Sequence, residues 1–278
     1  MSGSSYYVPH ETKWPFLATV ALIIMFIGLA NYMNDESNLT LTYTGLALLL
    51  LVIYGWFSYV VNESEGGLYD AQVDMSFRWG MAWFIFSEVM FFAAFFGALY
   101  YARELSLPWL AGEGSKVSTN QELWPTFENV WPSNGPANVG GEFIVMKAAG
   151  IPALNTIILL ISGLTVTWAH HGLKEGKRNQ LILGLTATVL LGFIFVGFQA
   201  YEYSHAYNDL NLKMTSGMYG STFYMLTGFH GFHVTLGAIM LTVILFRCIR
   251  GHFTNENHFG FEAVALSLIH ISEPTRQA

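Results

Sequence analysis

Apolar residues are arranged along the chain in six long runs, each bounded by polar or charged residues. A helix rises about 1.5 Å per residue and needs about 20 apolar residues to cross the hydrocarbon core of a bilayer, and each run is close to that length or longer. Charged and aromatic residues cluster at the ends of the runs, where a spanning helix meets the lipid headgroups. We therefore predict an all-α fold, a polytopic transmembrane helical bundle. The six predicted spans are approximately Trp14–Tyr32, Leu41–Val61, Arg78–Arg103, Ile151–His171, Gln180–Tyr203 and Tyr219–Arg247.

The polar connections divide the chain into predicted parts. A short turn joins the first two spans, which should form an antiparallel pair within residues 1–65. The next linker contains Gly66-Gly67, a flexible joint before the main bundle of residues 66–265. That bundle holds spans three to six and a long, proline-rich outer loop, residues 104–150. Small residues, which let another helix approach closely, recur at every fourth position of the fifth span: Gly184, Thr188 and Gly192.

The composition agrees with a membrane protein and excludes several other classes. Of the 278 residues, 53% are hydrophobic and 11% are charged, which leaves too little polar surface for a soluble globular protein of this length. The net charge of −7 argues against nucleic acid as a partner. The single cysteine, Cys248, cannot form an internal disulfide or a thiolate-ligated metal cluster.

The lysines and arginines between the spans predict the orientation of the chain in the membrane. One side of the predicted topology carries seven of them and the other side carries four. Because the side with more lysine and arginine usually faces the cytoplasm, we expect a cytoplasmic amino terminus, or one on the matrix side if the source is an organelle. The seven are Lys13, Arg78, Lys174, Lys177, Arg178, Arg247 and Arg250, and the four are Arg103, Lys116, Lys147 and Lys213.

Glu88 is the one carboxylate well inside a predicted span. Ionising a carboxylate at the bilayer centre costs about 2.5–3.5 kcal/mol, so we expect Glu88 to be neutral, paired inside the bundle, or both. His230 and His233 lie at a similar depth, counted from Arg78 and Arg247, and can contact Glu88 if spans three and six pack together. Each histidine could instead donate to backbone or hydroxyl groups. A hydrogen bond between two helices and a proton or redox role both remain open for Glu88.

These groups do not form a recognisable redox centre. His230 and His233 are three positions apart on one helix, whereas two histidines that hold a haem inside a bundle come from facing helices. A di-iron carboxylate site needs several glutamates in Glu-x-x-His motifs, and Glu88 is alone. We therefore expect no metal ion in this chain. A small-solute or proton transporter built around Glu88 is the alternative, although proton paths usually need a relay of ionisable groups.

Basic residues follow the sixth span and have two interpretations. Arg247, Arg250 and His252 lie at the predicted interface, where they could bind lipid phosphates by charge-assisted hydrogen bonds. They could equally serve only to fix the orientation of the helix. Arg78, at the start of the third span, is a further candidate for lipid binding.

Five segments carry a more specific pattern. They are RWGMAWFIFSEVMFF around Glu88, GIPALNTIILLISGLTVTWAHHG in the fourth span, FQAYEY at the end of the fifth, YGSTFYMLTGFHGFHVTLG in the sixth, and HFTNENHFGFEA after it. Together, and in this order, they resemble cytochrome c oxidase subunit III of the haem-copper respiratory oxidases. The resemblance extends from Trp14 to about Ala265. The two spans before Glu88 favour the cytochrome c-oxidising branch, and the linker GGLYDAQVD and the long third loop resemble bacterial members.

The resemblance implies a non-catalytic core subunit of an aerobic respiratory oxidase in a bacterial inner membrane. Haem and copper would lie in partner subunits I and II. The chain would contact subunit I directly, bind phospholipid between its first two spans and the rest, and support proton uptake and the stability of the complex. By motif, Glu88 matches the family's buried glutamate, His230 and His233 its paired histidines, and Arg247 and Arg250 its lipid-phosphate positions. Subunit III of a quinol oxidase is the alternative within the family.

Two segments depart from the family pattern. Leu68 and Tyr69 stand where some mitochondrial members have a histidine pair, so one lipid contact of those members is not expected here. After HFGFEAVA the family continues into an aromatic last helix, whereas this chain ends in LSLIHISEPTRQA, residues 266–278. That ending resembles a translated sequencing adapter. We expect it to be a non-native, poorly packed tail, and the native chain to have a seventh span.

Overall fold

The computed structural model describes residues 12–34, 38–253 and 258–272. All regular structure in these ranges is helical, which confirms the predicted all-α class. A π-helical turn, Ala102–Ser106, follows α3, and a 3-10 turn, Gly114–Lys116, precedes α5. The α-helices are α1 (Trp14–Met33), α2 (Thr40–Glu65), α3 (Ala71–Tyr101), α4 (Leu107–Leu110), α5 (Val117–Leu123), α6 (Ile151–Lys174), α7 (Arg178–Asn208), α8 (Gly217–Arg250) and α9 (Phe259–Ser272).

Six helical segments of the described chain are long and apolar enough to cross a membrane, which confirms the six predicted spans. Five are α1, α2, α6, α7 and α8, and the sixth is the continuous segment Ala71–Leu110 formed by α3, the π-helical turn and α4. The third span begins earlier than the sequence predicts. Asp70 explains this start, because its Oδ1 accepts a hydrogen bond of 2.8 Å from the Val73 N–H and so caps the helix.

Residues 1–79 and 80–278 form two compact units. In the first unit, α1 and α2 are antiparallel, as predicted, and their backbones lie very close together. Gly45 faces Met25 across the pair, and a Cβ on Gly45 would overlap the Met25 backbone. A Cβ on Gly55 would lie 2.5 Å from the indole ring of Trp14. Glycine is therefore required at Gly45, whereas a side chain at Gly55 would force the Trp14 ring to move. The division into residues 1–65, 66–265 and 266–278 stays a prediction.

The core of the second unit lies where α6, α7, α8 and α9 meet. The small-residue face of α7 lies in this packing: the hydroxyls of Thr165 and Thr188 are 2.8 Å apart, and Gly192 faces Ala238 of α8. Such close contact is what the repeat of small residues in the fifth span predicts. The buried apolar side chains of this core are Val166, Ala169, Leu173, Leu181, Leu185, Val189, Leu241, Ile244, Cys248, Phe261, Ala265 and Leu268.

The segment between α3 and α6 is held together by polar side chains. Asn120 donates from Nδ2 to the carbonyl oxygens of Leu110, Trp124 and Phe127 at 3.2, 2.8 and 3.2 Å. Further on, the Ile144 N–H donates to the Leu210 carbonyl at 2.9 Å, which ties the end of the segment to the turn between α7 and α8. The segment predicted as an outer loop therefore contains short helices and is held together by side-chain hydrogen bonds.

The helix α9 corrects one expectation. We expect residues 266–278 to be poorly packed, but α9 continues to Ser272, and Leu268 is buried in the four-helix core with 2% of its surface exposed. The reason is periodicity: Phe261, Ala265 and Leu268 follow one another at i, i+4 and i+7, so a leucine at 268 falls on the buried face. The expectation is therefore wrong for Leu268. Residues 273–278 of the predicted tail lie outside the described part.

Two glycines of α7 allow a test of the packing against α6. Gly184→Ala is expected to destabilise the subunit by about 1–3 kcal/mol, because overpacking costs this much in a dense core. The added Cβ would lie 2.9 Å from the Ala169 Cβ and 3.0 Å from the Thr165 carbonyl oxygen. Gly197→Ala is the matched control, since no described atom lies within 4 Å of its Cβ. Thermal denaturation of the purified membrane complex measures both, and equal losses of stability would contradict the packing argument.

Candidate functional site

Glu88 and His233 contact each other in the second unit. Glu88 lies on α3 and His233 on α8, and the distance from His233 Nε2 to Glu88 Oε2 is 2.5 Å. Aromatic rings surround the contact: the imidazole lies 5.3 Å from the Phe92 ring and 5.9 Å from the Phe91 ring, and Phe91 also packs edge-on against Phe229 at 5.0 Å. His233 therefore pairs directly with Glu88 and, through its other ring nitrogen, also contacts a backbone carbonyl.

The backbone of α8 determines which nitrogen of His233 carries a proton. Nδ1 lies 2.6 Å from the Phe229 carbonyl oxygen, which can only accept, so Nδ1 is the donor. Nε2 is therefore the nitrogen that faces Glu88 Oε2. Pairing the two polar side chains lowers the cost of placing each of them in an apolar surrounding.

His230 has different surroundings from His233. It is buried, and its ring meets the Phe195 ring of α7 edge-on with centroids 5.8 Å apart. The two histidines of the sixth span are therefore held by different neighbours, although the sequence presents them as a pair.

The carboxyl-terminal end of α8 carries a cluster of cations. The Arg247 guanidinium lies 4.5 Å from the centre of the Phe253 ring, and the His252 N–H donates to the Arg247 carbonyl at 3.1 Å. Arg250, in the last turn, is exposed. Arg178 joins them from α7, since its Nη2 donates to the Ile249 carbonyl at 2.6 Å and so satisfies the end of the helix. Nothing in the sequence singles out Arg178, which is 71 positions from Ile249.

Two other charged residues lie outside this cluster. Arg78 belongs to the first unit, where its Nε is 2.7 Å from Asp74 Oδ2 on the same helix. Between α6 and α7, Lys177 Nζ lies 2.7 Å from Glu175 Oε2. The hydrogen bond and the positive charge of Lys177 lower the pKa of the exposed Glu175 carboxyl.

A third group of ionisable side chains joins α6 to α9. His258 Nε2 is 3.1 Å from Glu262 Oε1, and His170 Nε2 is 3.4 Å from the same oxygen. One ligand atom from each of the three residues lies within 4.8 Å of the other two. The sequence places His170 at the interface and His258 after the last span, so it does not predict their contact. The one sequence feature that could have indicated part of this group is the i, i+4 spacing of His258 and Glu262 in HFGFE.

Comparison with known proteins identifies the family. The family model described as cytochrome c oxidase subunit III matches residues 4–273. This chain belongs to the cytochrome c oxidase subunit III family. It is 40% identical over 262 residues to cytochrome c oxidase subunit 3 of Tetraodon nigroviridis and of Gadus morhua, and the match covers 94% of this chain and 89% of each relative. Subunit 3 of Salmo salar is 39% identical over the same length.

Family membership shows what kind of protein contains these three groups of residues. A cytochrome c oxidase subunit III is a multi-pass membrane protein that works in a complex with other oxidase subunits, and the family generally lacks redox centres of its own. The family segments found in the sequence contain Glu88, His233 and Glu262. The contacts described above therefore involve the same segments that carry the family pattern.

Proposed function

We propose that this chain is the non-catalytic subunit III of an aerobic respiratory cytochrome c oxidase, which supports the active complex through its packing and its bound lipid. It contacts subunit I directly, and haem and copper lie in subunits I and II. The family match supports this assignment. The distribution of lysine and arginine supports a cytoplasmic amino terminus, and the linker GGLYDAQVD and the long third loop support a bacterial inner membrane.

The observation that carries the proposal is the Glu88–His233 pair. It joins α3 to α8 in the apolar part of both helices, among aromatic rings. Glu88 Oε2 is buried, and the described part of the chain offers it no second polar partner. A proton path needs a series of such partners, so the pair is better suited to holding two helices together than to conducting protons. Proton uptake is then supported indirectly, by the packing of this subunit beside subunit I.

Purification from membranes tests the assignment. We expect the chain to co-isolate with haem-containing subunits and the complex to consume oxygen with reduced cytochrome c. Oxygen consumption with a quinol but not with cytochrome c would place the chain in the quinol branch. A solitary chain that transports a solute in vesicles would contradict the proposal.

Glu88→Gln is expected to leave steady-state oxygen consumption within about twofold of the unmodified complex. Glutamine has the shape of a neutral glutamate, and its amide can donate to Nε2 of His233, so the helix contact is kept at the usual strength of a neutral hydrogen bond. Oxygen uptake by the purified complex, normalised to haem content, measures this. Loss of turnover in a normally assembled complex would show that Glu88 takes part in proton transfer.

The cations at the end of α8 support lipid binding. Arg250 is exposed there, and Arg247, His252 and Arg178 lie around the same helix end. Guanidinium groups bind phosphate oxygens by two parallel hydrogen bonds, and anionic lipids attract basic groups at this depth. We infer that Arg250 and Arg247 bind an anionic phospholipid headgroup, with His252 nearby. Arg78 is proposed as a separate lipid contact in the first unit.

A further inference from the structure

We propose that His170, His258 and Glu262 bind a divalent transition-metal ion of the Zn²⁺ type, which cross-links the end of α6 to the start of α9. Two imidazoles and one carboxylate are a ligand set that zinc commonly takes, with a fourth position left for water. The proposal departs from the expectation, drawn from the sequence, that the chain holds no metal. It does not depend on the proposed function in the oxidase.

The spacing of the donor atoms fits one tetrahedral ion. Bonds of about 2.1 Å to nitrogen and oxygen place neighbouring ligand atoms of a tetrahedral zinc site about 3.4 Å apart. The two measured spacings to Glu262 Oε1 are 3.1 Å from His258 and 3.4 Å from His170. Both are longer than the about 2.7–2.9 Å of a charge-assisted hydrogen bond between an imidazolium and a carboxylate. The ligand atoms of His170 and His258 lie within 4.8 Å of each other, so the side chains must move to bring all three atoms to this spacing.

The hydrogen bonding of the two histidines leaves room for a further ligand. His170 Nε2 is buried and makes no hydrogen bond within the described residues, although Glu262 Oε1 lies near it. His258 is 8% exposed, and its position is fixed because its carbonyl accepts from the N–H groups of Phe261 and Glu262 at the start of α9. Phe261 stacks on the His170 ring with centroids 5.5 Å apart. The donors are thus held in place before an ion arrives, which lowers the cost of binding.

Nearby positive charges lower the affinity of the site for zinc but do not prevent zinc from binding. Lys174, one turn beyond His170 on α6, is close enough to interact with it electrostatically. Glu262 supplies one negative charge, so a bound Zn²⁺ carries a net positive charge unless a hydroxide or another anion takes the fourth position. We therefore expect the site to bind zinc reversibly rather than to retain it through chelation, unlike a site made of thiolates.

Zinc binding to the purified complex tests the proposal. The complex is treated with a chelator, dialysed, titrated with ZnSO₄ and analysed for bound zinc per haem by mass spectrometry. Haem and copper contents are measured on the same samples, and other zinc sites of the complex cancel when variants are compared. We expect His170→Gln and Glu262→Gln each to bind about one zinc fewer per complex, or to bind it at least tenfold more weakly.

His171→Gln is the matched control, since His171 is the exposed neighbour of His170 on the same helix. It should bind zinc like the unmodified complex. Zinc should also raise the denaturation temperature of the unmodified complex and of His171→Gln, and should raise it less in the two ligand variants. If the complex with Glu262→Gln fails to assemble, zinc binding by the His170→Gln complex alone tests the proposal. Equal zinc content in His170→Gln and the unmodified complex would overturn the proposal and leave the three side chains as a plain hydrogen-bonded group.

Discussion

His233→Leu is expected to destabilise the subunit within its complex by about 3 kcal/mol. The change removes the only described partner of Glu88 Oε2 and leaves the carboxyl buried among aromatic rings. An unpaired buried acceptor costs about 1–3 kcal/mol and an unpaired buried charge about 3–5 kcal/mol, and the expected value lies where these ranges meet. The measurement is the temperature at which the chain dissociates from the haem-containing subunits, followed by native gel electrophoresis.

The double variant Glu88→Leu with His233→Leu is the control for this prediction. Replacing both members of a buried pair by apolar residues of similar size is often neutral, so most of the lost stability should return. The difference between the double variant and the single variants Glu88→Leu and His233→Leu gives the coupling energy of the pair. If the losses of the single variants simply add in the double variant, Glu88 and His233 act independently, and the contact between α3 and α8 does not depend on them.

The sequence predicts the membrane helices because one physical requirement determines them. Each span must bury its backbone polar groups in a helix and present apolar side chains to lipid, and this is visible in composition alone. The same reasoning places Glu88 and His233 at one depth, since depth follows from counting residues along a helix. It does not show whether the two side chains touch, because rotation about the helix axis depends on packing against neighbours.

The contact among His170, His258 and Glu262 could not be predicted from the sequence. Its members come from α6 and α9, and nothing local to either segment brings them together. Helix α9 is too short to be predicted as a membrane span, and its burial depends on the four-helix core. Leu268 packs well because it fits the periodicity of α9, whatever the origin of the segment that contains it. Contacts between short segments that are far apart in the sequence are therefore the part of this fold that only the structure reveals.

Arg178 shows the same limit at the end of α8. In the sequence it contributes one positive charge to the topology count, whereas in the structure it donates to the Ile249 carbonyl and closes the last turn of another helix. Arg247 packs against Phe253 at 4.5 Å. Both arginines thus have structural contacts; Arg178 and Arg250 are exposed, and Arg247 is partly buried. A lipid phosphate at this helix end would meet guanidinium groups already held in position.

Arg247→Ala with Arg250→Ala is expected to lower the anionic phospholipid retained by the purified complex and to shorten its active lifetime severalfold. Each shielded contact between a guanidinium and a phosphate contributes about 1.5–3 kcal/mol, so losing two should greatly reduce occupancy of the lipid. A haem spectrum recorded immediately after purification should be normal, because the change lies in a chain to which we assign no redox centre. Lipid mass spectrometry and oxygen uptake over many turnovers measure the two effects.

Lys116→Ala with Lys213→Ala is the control, since it removes the same number of positive charges from the opposite side of the predicted topology. Its lipid content and lifetime should match those of the unmodified complex. A third variant, Arg247→Lys with Arg250→Lys, keeps both charges but removes the planar fork that binds phosphate at two points, and should restore lipid only in part. Full restoration by lysine would indicate attraction by charge alone. Unchanged lipid content in the alanine variant would mean that these arginines serve only to orient α8 in the membrane.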